Sequence, residues 1–104
     1  MSRRELVKNQ SYKQELFRRE ITNLLSNFSS TVELESFLSD LLTPKEYNEL
    51  SLRWQIVKLL CKGLSIREVS DRLGVAVATI SRGARELKYS KSGGFKKVLS
   101  KIKV

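Results

Sequence analysis

The stretch SIREVSDRLGVAVATISRGARELK, residues 65–88, decides the fold that we predict for this chain. It has the pattern of two short helices joined by a tight turn at Gly74. Its few apolar positions, among them Val69 and Ile80, can be buried only if the two helices cross steeply and pack on each other. Such packing leaves the outer face of the second helix free to enter the major groove of DNA. The spacing therefore predicts a helix-turn-helix, with a helical hairpin of another use as the alternative.

The positive charge of the chain is concentrated in the half that contains this motif. The 104 residues include 20 Lys+Arg and 11 Asp+Glu, for a net charge of +9. Residues 1–51 hold 7 basic and 8 acidic side chains, whereas residues 52–104 hold 13 basic and 3 acidic ones. This excess favours a surface that faces phosphates, although a solvated basic surface or a lysine-rich tail would have the same composition.

The composition argues against an enzyme, a metal protein and a membrane protein. The chain has no histidine, and we expect its single cysteine, Cys61, to be a reduced thiol buried in the apolar run IVKLLC. No set of residues resembles a metal site or a nucleophile with its base. No apolar run approaches the roughly 18 residues that cross a bilayer, and no signal segment is recognisable. We therefore expect a cytoplasmic protein that is not an enzyme and holds no cofactor.

The rest of the chain is predicted to be helical, which makes the fold all-α with about six helices. Capping boxes of the form S/T-x-x-E begin at Ser2, Ser30, Thr43 and Ser65, and the single proline follows Thr43 at a first helical position. We expect one domain over residues 1–104. Its predicted parts are dimerisation helices over 1–62, the helix-turn-helix over 65–88 and a C-terminal helix over 93–104.

The predicted central helix, from Pro44 to about Lys62, is apolar on more than one face. A helix with this pattern is buried on most of its sides, and a chain of this length has few elements to cover it. We therefore expect helices from two chains to surround it in a homodimer.

These elements together resemble the bacterial tryptophan repressor family. The match runs from Leu42 to Lys88 through LTPKE, the arginine of LSLRWQIV, and LGVAVATISRGARELK, in which ATISRG is the most specific element. The resemblance implies six helices per chain, with the N-terminal helices of two subunits interlocked in a homodimer. It also implies a transcriptional repressor that binds an operator-like palindrome in double-stranded DNA.

The resemblance further implies a pocket for a corepressor, which in the family is L-tryptophan. The ring of that ligand lies between two arginines, one from each subunit, and a glycine makes room for it. The family's ligand contacts correspond here to Leu42, Thr43, Arg53, Arg82, Gly83 and Glu86.

Glu86 is a departure from the family, which has a serine near the ammonium group of the ligand. A carboxylate at this position can pair with an ammonium ion, or it can fold back onto Arg53 or Arg82 and occupy the pocket. The two arginines can also be phosphate contacts or surface charges. L-tryptophan is the leading candidate for an amino-acid effector.

For DNA, the resemblance implies contacts from both helices of the motif. They correspond to Arg67, Ser70, Ala76, Val77, Ala78, Thr79, Ser81 and Lys88. Arg67 is expected to reach a guanine edge and Lys88 a phosphate. Ser70 replaces a lysine, so one family contact is lost. The small side chains of the second helix fit readout through water and DNA shape.

Two other functions remain open at this point. One is a DNA-binding regulator of the same fold that needs no effector, which unchanged DNA affinity in the presence of L-tryptophan would indicate. The other is a protein-interaction module resembling a DNA-binding fragment of a sigma factor or a replication initiator, which a monomeric state would favour.

Overall fold

The computed structural model describes residues 3–90 and 93–102, with side chains described from residue 11 onward. The helices of this part are α1 Arg3–Ser26, α2 Thr31–Leu41, α3 Pro44–Cys61, α4 Ile66–Leu73, α5 Val77–Lys88 and α6 Gly94–Lys101. The prediction of an all-α fold with about six helices is confirmed for the described residues. The predicted capping box at Ser2 lies outside the described residues. None of the helices in the described part is both long and apolar enough to cross a membrane.

The chain divides into two compact units, and the first, Met1–Thr43, contains α1 and α2. Helix α2 begins as predicted after Ser30, whose hydroxyl accepts a hydrogen bond of 3.3 Å from the backbone N–H of Glu33. The rings of Phe28 and Phe37 pack with their centroids 5.4 Å apart and join α2 to the segment that precedes it. Several apolar side chains of α1 nevertheless stay exposed: Tyr12, Leu16, Phe17 and Leu24.

The second unit, Pro44–Val104, is built on a core where α3, α4 and α5 meet. The centre of this core consists of Ile56 and Leu59 from α3, Val69 from α4 and Ile80 from α5. Val69 and Ile80 are fully buried, and Leu73 and Val75 pack against them. The apolar residues of the predicted motif therefore lie between its two helices and α3.

Helix α4 is bounded by two local features that the sequence predicts. At its start, the Ser65 hydroxyl accepts a 3.1 Å hydrogen bond from the N–H of Glu68, and the Glu68 carboxylate accepts a 3.2 Å bond from the N–H of Ser65. At its end, Gly74 adopts the left-handed conformation with φ 67°, which a residue without a Cβ adopts at little cost. The hydroxyl of Ser70 donates to the carbonyl of Val75 across the turn.

The capping box makes the stability of the motif depend on pH. The backbone hydrogen bond from Ser65, and next its side chain, lower the pKa of Glu68 below the ordinary value of 4.5, and Arg72 adds to the effect. A carboxyl group with a lowered pKa stabilises the fold above its unfolded pKa, and this contribution disappears as the pH falls through the folded pKa. We expect the urea concentration at the midpoint of unfolding to fall as the pH is lowered below 4.5. In the Glu68→Gln variant this fall should be smaller. Identical acid dependence in both proteins would contradict this role.

Helix α3 buries one side in this core and leaves other apolar groups uncovered. Cys61 was expected to be buried, but it is a free, exposed cysteine. It follows Leu59 by two residues and therefore lies on the opposite side of the helix from that core residue. Leu50 is also exposed. Trp54 lines a cavity of about 450 Å³ together with residues of α6 and the segment before it: Ser90, Gly94, Phe95 and Val98.

Candidate functional site

Helix α5 carries predicted site residues on two adjacent faces. Thr79, Arg82, Gly83 and Glu86 follow one another at steps of one to three residues along the same face of the helix, and this face lines a cavity. Ala78, Ser81 and Lys88 lie on a neighbouring face. The predicted ligand residues and the predicted DNA residues of α5, apart from Thr79, therefore lie on different faces of one helix.

The cavity lies between α3 and α5 and has a volume of about 420 Å³. Its wall combines two arginines and two glutamates with apolar surface, and is formed by Glu49, Leu52, Arg53, Ile56, Thr79, Arg82, Gly83 and Glu86. Opposite charges beside apolar groups suit a small dipolar ligand, because the charged groups orient it and the apolar groups bury it. The four predicted ligand residues that lie in the second unit all line this cavity.

The two predicted ligand arginines line the cavity within a single chain. Arg53 and Arg82 share this cavity because α3 and α5 of one chain pack directly against each other. The resemblance implied one arginine from each subunit around the ligand, and that arrangement stays a prediction. The other two predicted ligand residues, Leu42 and Thr43, are the last two residues of the first unit. Leu42 caps the C-terminal end of α2, and its N–H donates a 2.9 Å hydrogen bond to the carbonyl of Leu38. Their contact with a ligand stays a prediction.

Gly83 allows α3 and α5 to approach closely. A Cβ atom on Gly83 would lie 2.7 Å from Cγ2 of Ile56. Carbon atoms in favourable contact are about 3.5–4.0 Å apart, so a larger residue would push the helices apart. The resemblance assigned Gly83 only to the ligand ring, and this packing role was not predicted. A glycine inside a helical pattern was the available signal.

Glu86 forms an ion pair with Arg53, and both residues line the cavity. Its Oε2 lies 3.8 Å from Nε of Arg53, and the two side chains, Arg53 and Glu86, are 60% and 56% exposed. Such an exposed pair stabilises a fold by at most about 1 kcal/mol. Of the two arrangements considered from the sequence, the structure has the carboxylate turned toward an arginine.

The residues expected to contact DNA lie mainly at the surface. Arg67, Ala76, Val77, Ala78 and Lys88 are exposed, and Ser70, Thr79 and Ser81 are half-buried. Helix α5 begins without a side-chain cap at Ala76 and has no acidic residue in its first turn. The N–H groups and positive dipole end of the helix are therefore not neutralised, and the small side chains let a phosphate approach.

Three of the predicted DNA residues have contacts within the chain. Ser70 uses its hydroxyl hydrogen in the turn of the motif, where it bonds to Val75. Thr79 belongs to the face of α5 that lines the cavity. The ammonium group of Lys88 lies 5.6 Å from the centroid of the exposed Tyr89 ring, in a cation–π contact.

Comparison with known proteins identifies the family to which these features belong. The family model for the Trp repressor protein matches residues 8–103. This chain belongs to the Trp repressor family. The members of this family are DNA-binding transcriptional repressors, so the predicted class of function, a DNA-binding repressor, is confirmed.

Similar members of the Trp repressor family are Trp operon repressor homologs from Vibrio. The homolog of Vibrio parahaemolyticus serotype O3:K6 is 42% identical over 70 residues, which cover 66% of this chain and 68% of that protein. The homolog of Vibrio campbellii is 41% identical over 70 residues, covering 66% and 70% of the two chains. The homolog of Vibrio cholerae serotype O1 is 38% identical over 84 residues, covering 80% and 81%.

Proposed function

We propose that this protein is a homodimeric, sequence-specific repressor whose affinity for DNA is raised by an amino-acid corepressor, with L-tryptophan as the first candidate. One observation carries this proposal. Helix α5 lines the charged cavity with one face and has the expected DNA contacts on the next. A ligand in the cavity would therefore contact the same helix that enters the major groove.

The coupling between ligand and DNA follows from this shared helix. A ligand between α3 and α5 raises DNA affinity only to the extent that it prefers the orientation of α5 that fits the groove. In a dimer, the two α5 helices would enter successive major grooves about 34–36 Å apart on a near-palindromic site. The regulator would act in the cytoplasm, on the DNA of a bacterial operator.

The dimer is supported by apolar surface that a single chain leaves uncovered. On α1, Tyr12 and Phe17 are 64% and 63% exposed, and Leu50 of α3 is exposed as well. The interfaces of obligate homodimers are apolar surfaces of this kind, and association adds burial that a small chain lacks. Light scattering at micromolar concentration should give the mass of two chains, and a monomer would contradict the dimer.

The repressor proposal is tested by selecting binding sites from random duplexes and titrating them with and without millimolar L-tryptophan. We expect a near-palindromic consensus and tighter binding with the amino acid. Unchanged affinity would reject the corepressor and leave an effector-independent regulator of the same fold. Failure to select any duplex would reject specific DNA binding itself. Calorimetric titration with a panel of amino acids then identifies the effector.

Glu86 is proposed to accept a hydrogen bond from the ammonium group of the ligand. Hydrogen bonds to charged groups stabilise by roughly 1 kcal/mol more than neutral ones, so Glu86→Ser should weaken L-tryptophan binding about five- to tenfold. Calorimetry measures the change, and Glu49→Gln, which alters the other carboxylate of the cavity, is the matched control with a smaller expected effect. Tighter binding by Glu86→Ser would mean that the carboxylate obstructs the ligand.

Arg67 and Lys88 are expected to affect DNA binding in different ways. Loss of a side chain that bonds to a base edge costs about 1–3 kcal/mol on the selected site, so Arg67→Ala should lower affinity for that site more than for random DNA. Lys88→Ala should weaken binding to both duplexes alike and reduce the salt dependence by about one counterion. Fluorescence anisotropy measures both. Equal losses of Arg67→Ala on the two duplexes would refute its assigned role.

A further inference from the structure

Helix α6, Gly94–Lys101, has an apolar side and a basic side. Phe95, Val98 and Leu99 recur at steps of three and four residues and form the apolar side. Phe95 and Val98 line the cavity that also contains Trp54 of α3. Three exposed lysines lie on the opposite side of the helix: Lys96, Lys97 and Lys101. This basic side is therefore directed away from α3.

The charge of this region is not balanced by acidic residues. From Leu87 to the last residue, the sequence contains no aspartate or glutamate. Clustered lysines without neighbouring carboxylates raise the local positive potential, and this potential attracts the phosphates of nucleic acid. The last acidic position before this region is Glu86, which pairs with Arg53 on the face of α5 that lines the charged cavity.

The basic side of α6 adjoins the expected DNA surface of α5. Lys88 and Lys96 line the same narrow cleft of about 80 Å³, between the end of α5 and the start of α6. In a helix-turn-helix, the N-terminal residues of the second helix reach the bases. The C-terminal end of α5 carries Lys88, which the resemblance assigns to a phosphate, and α6 begins beside it.

We propose that Lys96, Lys97 and Lys101 of α6 form a second DNA-contacting surface, which binds phosphates next to the site that α5 recognises. The proposal rests on the proposed function, because it concerns the same DNA. These contacts are electrostatic and independent of base sequence, so they add affinity and not specificity. A membrane surface fits less well. Val98 on the apolar side is 47% exposed, but Val98 and Phe95 line the cavity beside Trp54, whereas a lipid-binding helix inserts its apolar side into the lipid.

The test removes the three charges together as Lys96→Gln/Lys97→Gln/Lys101→Gln and measures DNA affinity over a range of salt concentrations. Each phosphate contact contributes about 0.9 to the slope of log K against log salt. We expect the slope to fall by roughly two to three and affinity to decrease by a similar factor on selected and random DNA. The proposed α6 contacts lie next to the site that α5 recognises. On a duplex trimmed to that site, this variant and the wild type should therefore bind DNA with the same affinity.

The control is a second variant that loses the same charge elsewhere, Lys13→Gln/Arg18→Gln/Arg19→Gln, on the exposed surface of α1. Its slope should change by less than one unit. An unchanged slope in the α6 variant, or a change no larger than in the control, would overturn the proposal. Loss of binding to phosphatidylserine vesicles with an unchanged DNA slope would overturn it in favour of a lipid surface. Failure of the wild type to bind any duplex would instead reject the proposed function, and circular dichroism checks folding.

Discussion

Ile80→Ala is expected to lower the free energy of unfolding by about 2–5 kcal/mol. Ile80 is fully buried where α5 meets α3 and α4, and it packs in one cluster with Ile56, Leu59 and Val69. Small domains have a total stability of only about 5–15 kcal/mol, so this loss removes a large part of it. The position of α5 would be lost with the core, and DNA binding should decline with it.

The matched control for this prediction is Ile66→Ala, because Ile66 lies in the same motif but at the surface. The same side chain is shortened, but Ile66 is 36% exposed, so less burial is lost and we expect a smaller change than for Ile80→Ala. Urea unfolding followed by circular dichroism measures both variants. Equal destabilisation by the two substitutions would show that Ile80 does not have the central packing role described above.

Gly83→Ala is expected to destabilise the protein by about 1–3 kcal/mol, although alanine is normally the better helix former by about 1 kcal/mol. The added Cβ would lie 2.7 Å from Cγ2 of Ile56, so α3 and α5 would have to separate. The same movement would alter the charged cavity between these helices. We therefore expect weaker ligand binding in addition to the lower urea midpoint.

A second background separates this overlap from other effects of the substitution. Ile56→Ala removes the Cγ2 atom, and the remaining Cβ atom would lie 3.7 Å from the new Cβ at Gly83, which is ordinary contact. Ile56→Ala is itself costly, by about 2–5 kcal/mol. In that background Gly83→Ala should cost little or even stabilise, as a double-mutant cycle of urea unfolding would measure. The same loss in both backgrounds would rule out the overlap as its cause.

The helices and the motif could be predicted because their signals are local. Ser65 and Glu68 lie three residues apart and make reciprocal hydrogen bonds in the structure. Gly74 is in the left-handed conformation that its place in the turn predicts. Val69 and Ile80 are both buried, as the spacing of apolar residues in the motif required. Each of these signals acts within one or two turns of the chain, so tertiary contacts did not change its outcome.

The prediction that changed concerns a residue whose surroundings depend on distant parts of the chain. Cys61 belongs to an apolar run, but the direction in which α3 faces the core leaves it exposed. The periodicity of the sequence does not show how one packed helix is rotated against another, and this rotation decides the exposure of Cys61.

The sequence by itself determined that this chain is all-α, contains a helix-turn-helix and resembles the Trp repressor family, because local hydrogen bonds and apolar spacing suffice for these features. Only the tertiary structure decided that Arg53 and Arg82 of one chain share a cavity, and that Glu86 turns toward Arg53. Both depend on how closely α3 approaches α5. The absence of a side chain at Gly83, opposite Ile56, permits that approach.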